Sequence, residues 1–180
     1  MTVKEYFTRY ASIDSQSDAA SSAVPSTKGQ LMLAMVLTGD LCDLGVFAQM
    51  DDYGYVYATI PATPGYESLP SVGLIAHMDT SEAAPGRNVK PLMIQYSGGD
   101  LVRGDGENAV MHPDDFPELR AYVGKELITT DGSTLLGADD KAGIAEIVAL
   151  CEALMRPDAA PHGTVQIAFT PDEEIGRGTS

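Results

Sequence analysis

Three short stretches of this 180-residue chain combine metal-binding or proton-transferring side chains with positions from which they could act. In His77-Met78-Asp79-Thr80, the alternation of an extended chain puts His77 and Asp79 on one side. A carboxylate beside an imidazole can fix its tautomer and ring plane, leaving the other ring nitrogen for a metal ion. The plainer reading is a strand-end histidine that is merely hydrogen-bonded. In Gly137-Ala138-Asp139-Asp140-Lys141-Ala142-Gly143, two acids stand in succession at a helix start. Acids there satisfy free N–H groups and suit the macrodipole, which explains one of them better than both. Thr170-Pro171-Asp172-Glu173-Glu174-Ile175-Gly176 sets two glutamates side by side after an apolar run. A helix start with proline in its first turn, or a solvated acidic turn, competes here with a division of labour. In the latter, one glutamate binds metal and its neighbour handles a proton.

The elements that must position these stretches follow from periodicity. A short helix is predicted over about Val3 to Tyr10, then a Ser/Ala-rich loop from Ser12 to Ser26. A second helix runs from Lys28 to about Leu44, with Leu31, Ala34, Met35, Thr38, Leu41 and Cys42 at helical spacing. Strands are predicted at Val46 to Met50 and Tyr55 to Ile60, joined by the turn Asp51-Asp52-Tyr53-Gly54. Ser71 to Ala76 is a nearly continuous apolar run, the pattern of a strand buried on both faces. Periodicity is lost from Ser81 to Lys125. It returns at Glu126 to Thr130, in a helix from Asp140 to about Met155 with the stripe Ile144, Ile147, Val148, Cys151 and Leu154, and in a strand from Gly163 to Thr170. Strand, helix, strand in this order predicts an α/β fold: a mixed or mostly parallel sheet flanked by helices. No element follows the last strand to close the sheet.

In open α/β sheets, ligand sites gather outside the carboxyl ends of strands, and two of the three stretches follow predicted strands. Histidine, aspartate and glutamate are ligands that zinc, cobalt or manganese accept. Two such ions about 3.5–4 Å apart activate water and stabilise a tetrahedral oxyanion, and an additional glutamate can serve as general base.

Composition narrows the partners. With 26 acidic against 11 basic residues the net charge is −15, and the pI is near 4.3. Such a chain repels phosphate backbones and anionic membrane surfaces, so neither nucleic acid nor membrane is an expected partner. The longest apolar run, Leu31 to Leu37, is far short of the ~18 residues of a membrane span. Cys42 and Cys151 are distant from each other and set among apolar residues, which predicts buried thiols in a reducing, cytoplasmic setting. No phosphate-binding glycine motif is present.

The stretch Gly73 to Thr80 resembles the first metal motif of the dinuclear zinc exopeptidases, a group that includes carboxypeptidase-G-type enzymes, aminoacylases and the peptidase T branch of tripeptide aminopeptidases. Pro25-Ser26-Thr27-Lys28-Gly29-Gln30, Thr129 to Ile144 and Phe169 to Gly176 are most similar to the peptidase T branch, the long Thr129-Thr130-Asp131-Gly132 segment above all. The resemblance covers nearly the whole chain. It implies that His77 binds one zinc ion, Asp139 bridges two, and Glu174 binds the second. Asp79 would orient His77, Glu173 would be the general base, and the Asp139–Asp140 peptide would be cis. The implied substrate is a small peptide with a free amino terminus, and Co²⁺ or Mn²⁺ are possible substitutes for Zn²⁺. The resemblance also places a further acidic ligand, a second histidine ligand, a lid and a dimerisation domain beyond Ser180. Residues 1–180 then correspond to the amino-terminal part of the catalytic domain of a homodimeric parent. Three ligands leave two ions short of the usual four each, so weak metal retention and little activity are expected of the chain alone. Related alternatives are a metallo-dipeptidase, an N-acyl amino-acid deacylase or a non-catalytic metal-binding remnant.

Overall fold

In the computed structural model, which describes residues 1–104 and 109–179, both helices expected near the start form. The first, α1, spans Val3–Ala11 and begins with a reciprocal capping box between Thr2 and Glu5. The second, α2, spans Lys28–Asp43. Its buried face is Gln30, Leu33, Ala34, Leu37 and Leu41, whereas Met35 is exposed and Leu31 only half-buried. The predicted stripe is therefore out of phase. A helix with apolar residues on nearly every side offers two adjacent phases, and packing selects the one carrying Leu33 and Leu37. The same rotation turns Cys42 to solvent, correcting the expectation of two buried thiols; Cys151 alone is buried.

After α2 comes a hairpin of β1 (Phe47–Met50) and β2 (Val56–Ile60), antiparallel to each other. Its turn uses Asp51 as foreseen. The Asp51 carboxylate accepts the N–H groups of Tyr53 and Tyr55, and Gly54 takes a φ of 82°. Strand β3 spans Val72–His77. The stretch predicted to be irregular holds three short strands: β4 (Leu92–Gln95), β5 (Leu101–Val102) and β6 (Val110–Met111). Its part at 105–108 lies outside the described residues. β5 pairs with β6, and β4 pairs with β7 (Glu126–Thr129), so these strands form two small ladders rather than joining the main sheet. The third helix, α3, spans Ala138–Leu154, and β8 (Val165–Thr170) follows.

The main sheet has the order β1-β2-β8-β3, with β3 parallel to β8 and the other pairs antiparallel. It is a mixed sheet. Register puts Val56, Ala58 and Ile60 of β2 on the same face as Val165, Ile167 and Phe169 of β8. That face meets Leu33, Leu37 and Leu41 of α2, Tyr10 of α1, and Ile144, Val148 and Cys151 of α3 in one core. All three helices thus cover a single face. The other face carries Phe47, Tyr57 and Ile75, all exposed. β3 is an edge strand, and Ile75 is 71% exposed, so the predicted burial on both faces is not found. An unbroken apolar run is the mark of a central strand, and among the described residues the sheet presents no neighbour beyond β3. Among the described residues no helix is long and apolar enough to cross a membrane.

Candidate metal centre

The site lies at the carboxyl ends of β3 and β8, which run side by side and in the same direction. Past its last residue, β3 stays extended: Met78 N–H donates to Thr170 O. Residues of the Ser/Ala-rich loop clasp this extension. Ser15 Oγ donates to Met78 O, and Ser17 N–H donates to Thr80 O. His77 and Asp79 are thereby held on one side of a rigid strand end.

The His77 ring bridges two elements. Its Nδ1 lies 3.1 Å from the backbone oxygen of Asp79 and 3.3 Å from Asp79 Oδ1. On the opposite edge of the ring, Nε2 is 2.9 Å from Asp139 Oδ1 and 3.8 Å from Glu173 Oε2. Burial alone would lower the His77 pKa, but the hydrogen bonds to Asp79 and Asp139 outweigh it and push the value up to about 9. Burial, with Asp139, Asp79 and Glu173 nearby, likewise raises the Glu174 carboxyl against the opposing pull of His77. The cluster therefore favours an added positive charge at its centre.

Asp139 and Asp140 open α3 in a way that helix capping alone does not explain. Neither has helical dihedral angles, and the peptide between them is cis. The two side chains diverge. Asp139 points to His77 and is 85% exposed. The Asp140 carboxylate instead accepts the N–H of His77 at 3.4 Å and that of Gly143, tying the end of β3 to the first turn of α3. Behind them Lys141 is buried and donates from Nζ to Ile13 O at 2.6 Å.

The turn after β8 completes the site. Asp172 adopts a left-handed conformation, and a single 3-10 turn, Glu173–Ile175, follows in place of a longer helix. The Glu173 and Glu174 N–H groups donate to the two oxygens of Asp79, at 2.9 and 3.0 Å. Asp79 therefore contacts both the imidazole and the glutamate pair. His77, Asp139 and Glu174 each offer a ligand atom, and these atoms lie within 4.8 Å of one another. Nitrogen plus carboxylate oxygen at that spacing fits a metal ion. The remaining histidines are engaged elsewhere: His112 with Asp100, and His162 with Gly163 O.

Sequence reasoning missed Ser26, Gln30 and Asp172 as contributors to this region. One signal was available. Gln30 stands at the head of the i, i+3, i+4, i+7 series Gln30-Leu33-Ala34-Leu37, and a lone amide on an apolar stripe implies a buried polar partner.

No family model matches the chain. A curated peptidase T from Halothermothrix orenii is 50% identical over 178 residues, which is 98% of this chain and 43% of that relative. Among solved structures, the aminopeptidase PepT from Bacillus cereus superposes with a TM-score of 0.64 at 27% identity, covering 96% of this chain and 36% of that one. The aminoacylhistidine dipeptidase from Vibrio alginolyticus shares the fold, with a TM-score of 0.54 at 22% identity over 97% of this chain and 28% of that one. The chain spans about two fifths of the length of the curated relatives it matches. Over that span, its sequence is similar to those of the curated peptidase T relatives, at about half identity.

Proposed function

We propose that this chain is the amino-terminal part of the catalytic domain of a cytoplasmic, dinuclear zinc aminopeptidase that releases the first residue from tripeptides. The observation that carries this reading is the convergence of His77, Asp139 and Glu174 from three separate elements, with Glu173 beside them. In this reading His77 holds one ion, Asp139 bridges both, and Glu174 holds the second; Co²⁺ or Mn²⁺ are the alternative occupants. Bound zinc would supply Lewis acidity, favouring deprotonation of water and stabilising a tetrahedral oxyanion. Glu173 is 58% exposed, so its carboxylate can accept a proton from the attacking water and return it to the leaving amine. Asp79 keeps the His77 ring in place while holding the amides of both glutamates. The substrate is a small peptide with a free amine, and the parent is a homodimer.

Two features support placing the remainder of the catalytic sheet elsewhere in a longer parent. The outer edge of β3 has no partner strand among the described residues, and beside it lies a groove of about 350 Å³ lined by Leu74, Ile75, Ile147 and Leu150 together with Asp140. Alone, the chain is expected to bind metal weakly and to self-associate through this apolar edge.

A zinc titration of the purified chain, with His77→Ala alongside, tests the site. Uptake that is lost in His77→Ala supports the assignment, and equal uptake by both chains refutes it. In a full-length parent, Glu173→Ala should abolish cleavage of a free-amine tripeptide while retaining bound metal. Preference for the N-acetylated peptide would indicate a deacylase instead.

A further inference from the structure

Asp172 is completely buried, yet nothing in the reading above gives its carboxylate a task. Its partners all come from the first turn of α2 and the residues just before it. Ser26 N–H donates to Oδ2 at 2.7 Å, and Gln30 Nε2 donates to Oδ1 at 2.6 Å. The Ser26 hydroxyl also donates to Oδ1. Gln30 closes the circuit: its Oε1 accepts the N–H of Asp172 at 3.0 Å. The side-chain amide of a helix residue thus grips one aspartate by both its backbone and its carboxylate.

The grip falls at the one place where the chain must bend. Asp172 has φ 56° and ψ 27°, a left-handed conformation that costs a non-glycine residue free energy unless its surroundings enforce it. That bend separates β8 from Glu173 and Glu174. Beyond it, their N–H groups point back to Asp79. The turn is consequently held at two points by two buried carboxylates, Asp172 anchored to α2 and Asp79 anchored to the end of β3. If Asp172 relaxed toward the right-handed or extended region, the two glutamate amides would leave Asp79 and their carboxylates would leave the vicinity of His77.

We propose that Ser26 and Gln30 are positioning residues that act through the buried carboxylate of Asp172 to aim Glu173 and Glu174 at the metal centre. The inference rests on the metallopeptidase reading for the role of the glutamates, but the mechanical link can be tested without it. Gln30→Met keeps the length of the side chain while deleting its hydrogen bonds, and Ser26→Ala is a second, smaller lesion. Leu37→Ala, on the same buried face of α2, is the control for simple loss of helix packing.

The primary measurement is amide hydrogen exchange of Glu173 and Glu174 relative to Ile167 and Phe169 in β8. In Gln30→Met and Ser26→Ala the glutamate amides should exchange about tenfold faster relative to the strand amides, through local opening of the turn. In Leu37→Ala all four should change together. Glutamate and strand amides rising in step in the Gln30 and Ser26 variants would overturn the proposal. The second measurement is a Co²⁺ titration followed by visible absorption, where Gln30→Met should bind about tenfold more weakly than the parent sequence. Faster exchange with unchanged Co²⁺ affinity would show that the turn does not aim its carboxylates, and would overturn the positioning role. Failure of the unaltered chain to take up Co²⁺ would mean that ligands from a longer parent are required, and the exchange ratio alone would then uphold or overturn the link.

Discussion

Two pairs of carboxylates in this site have opposite surroundings. Asp79 and Asp172 are buried, and each oxygen accepts at least one hydrogen bond from a backbone N–H or a side chain. Asp139 and Glu173 are 85% and 58% exposed, and they lie 2.9 and 3.8 Å from Nε2 of His77. The contrast separates two uses of one functional group. A carboxylate whose lone pairs are already occupied fixes geometry, because moving it would strand its donors. A carboxylate open to solvent retains free lone pairs for a cation or a proton. At Asp79, burial pushes the pKa up, but the hydrogen bonds from His77, Glu174 and Glu173 outweigh it and hold the carboxyl below its ordinary range. It stays charged because its partners require it.

Removing one member of the buried pair and, separately, each member of the exposed pair breaks the comparison most directly. Asp79→Ala leaves the buried amides of Glu173 and Glu174 without acceptors and the His77 ring without its partner. The expected loss is about 3–5 kcal/mol of folding stability. Glu173→Ala and Asp139→Ala remove equally charged groups from the outer pair, and each should change stability by no more than about 0.5 kcal/mol. Urea unfolding of the three variants measures this, and similar midpoints would show that the division by burial is mistaken.

A smaller pair of lesions sharpens the claim that the start of α2 is part of the frame while its middle is not. A Cβ on Gly29 would clash with the carbonyl oxygen of Asp14, whereas one on Gly39 would meet nothing within 4 Å. The clash at Gly29 is with backbone, so relief requires the loop before α2 to move. Gly29→Ala is expected to cost about 1–3 kcal/mol. Gly39→Ala should stabilise the same helix by about 0.4–1 kcal/mol, by restricting the unfolded chain. Thermal melts shifted in the same direction would contradict this difference.

These lesions also mark what sequence could and could not show. The stretches around His77, Asp139 and Glu174 were legible because each places chemically distinctive residues at the end of a recognisable element. An α/β sheet flanked by helices followed from the order of strand and helix patterns, which left mixed and mostly parallel pairing open, and the stripe from Ile144 to Leu154 lies where periodicity puts it. The phase of α2 was not legible, since its apolar residues surround the helix and only the packed core selects Leu33 and Leu37. Nor was the edge position of β3, because hydrophobicity records what a strand can bury, not which neighbours it has. The strands β4 to β6 are only four, two and two residues long, so no alternation long enough to detect develops. The grip on Asp172 depends on residues 142 and 146 positions away in sequence, Gln30 and Ser26, and no local pattern carries such a distance.

The smallest effect carries the same contrast from carboxylates to thiols. Cys42 is exposed and Cys151 is buried on the inner stripe of α3. Burial pushes the Cys151 thiol up to about 11. At pH 8 it has neither the access nor the thiolate that alkylation requires. Iodoacetamide should therefore label one cysteine in the folded chain and two in urea, with the protected site mapped to Cys151 by mass spectrometry. Because the folded chain holds this proton more tightly than the unfolded one, stability should fall slightly as pH rises from the ordinary thiol range towards 11. Cys151→Ala should remove only its own contribution to that slope, leaving those of Tyr6, Tyr10 and Lys141, and lower stability by roughly 1 kcal/mol through lost packing. Labelling of Cys151 at the rate of Cys42 would mean that α3 lifts from the sheet readily, and Asp139 would then lack the fixed base that its approach to His77 requires.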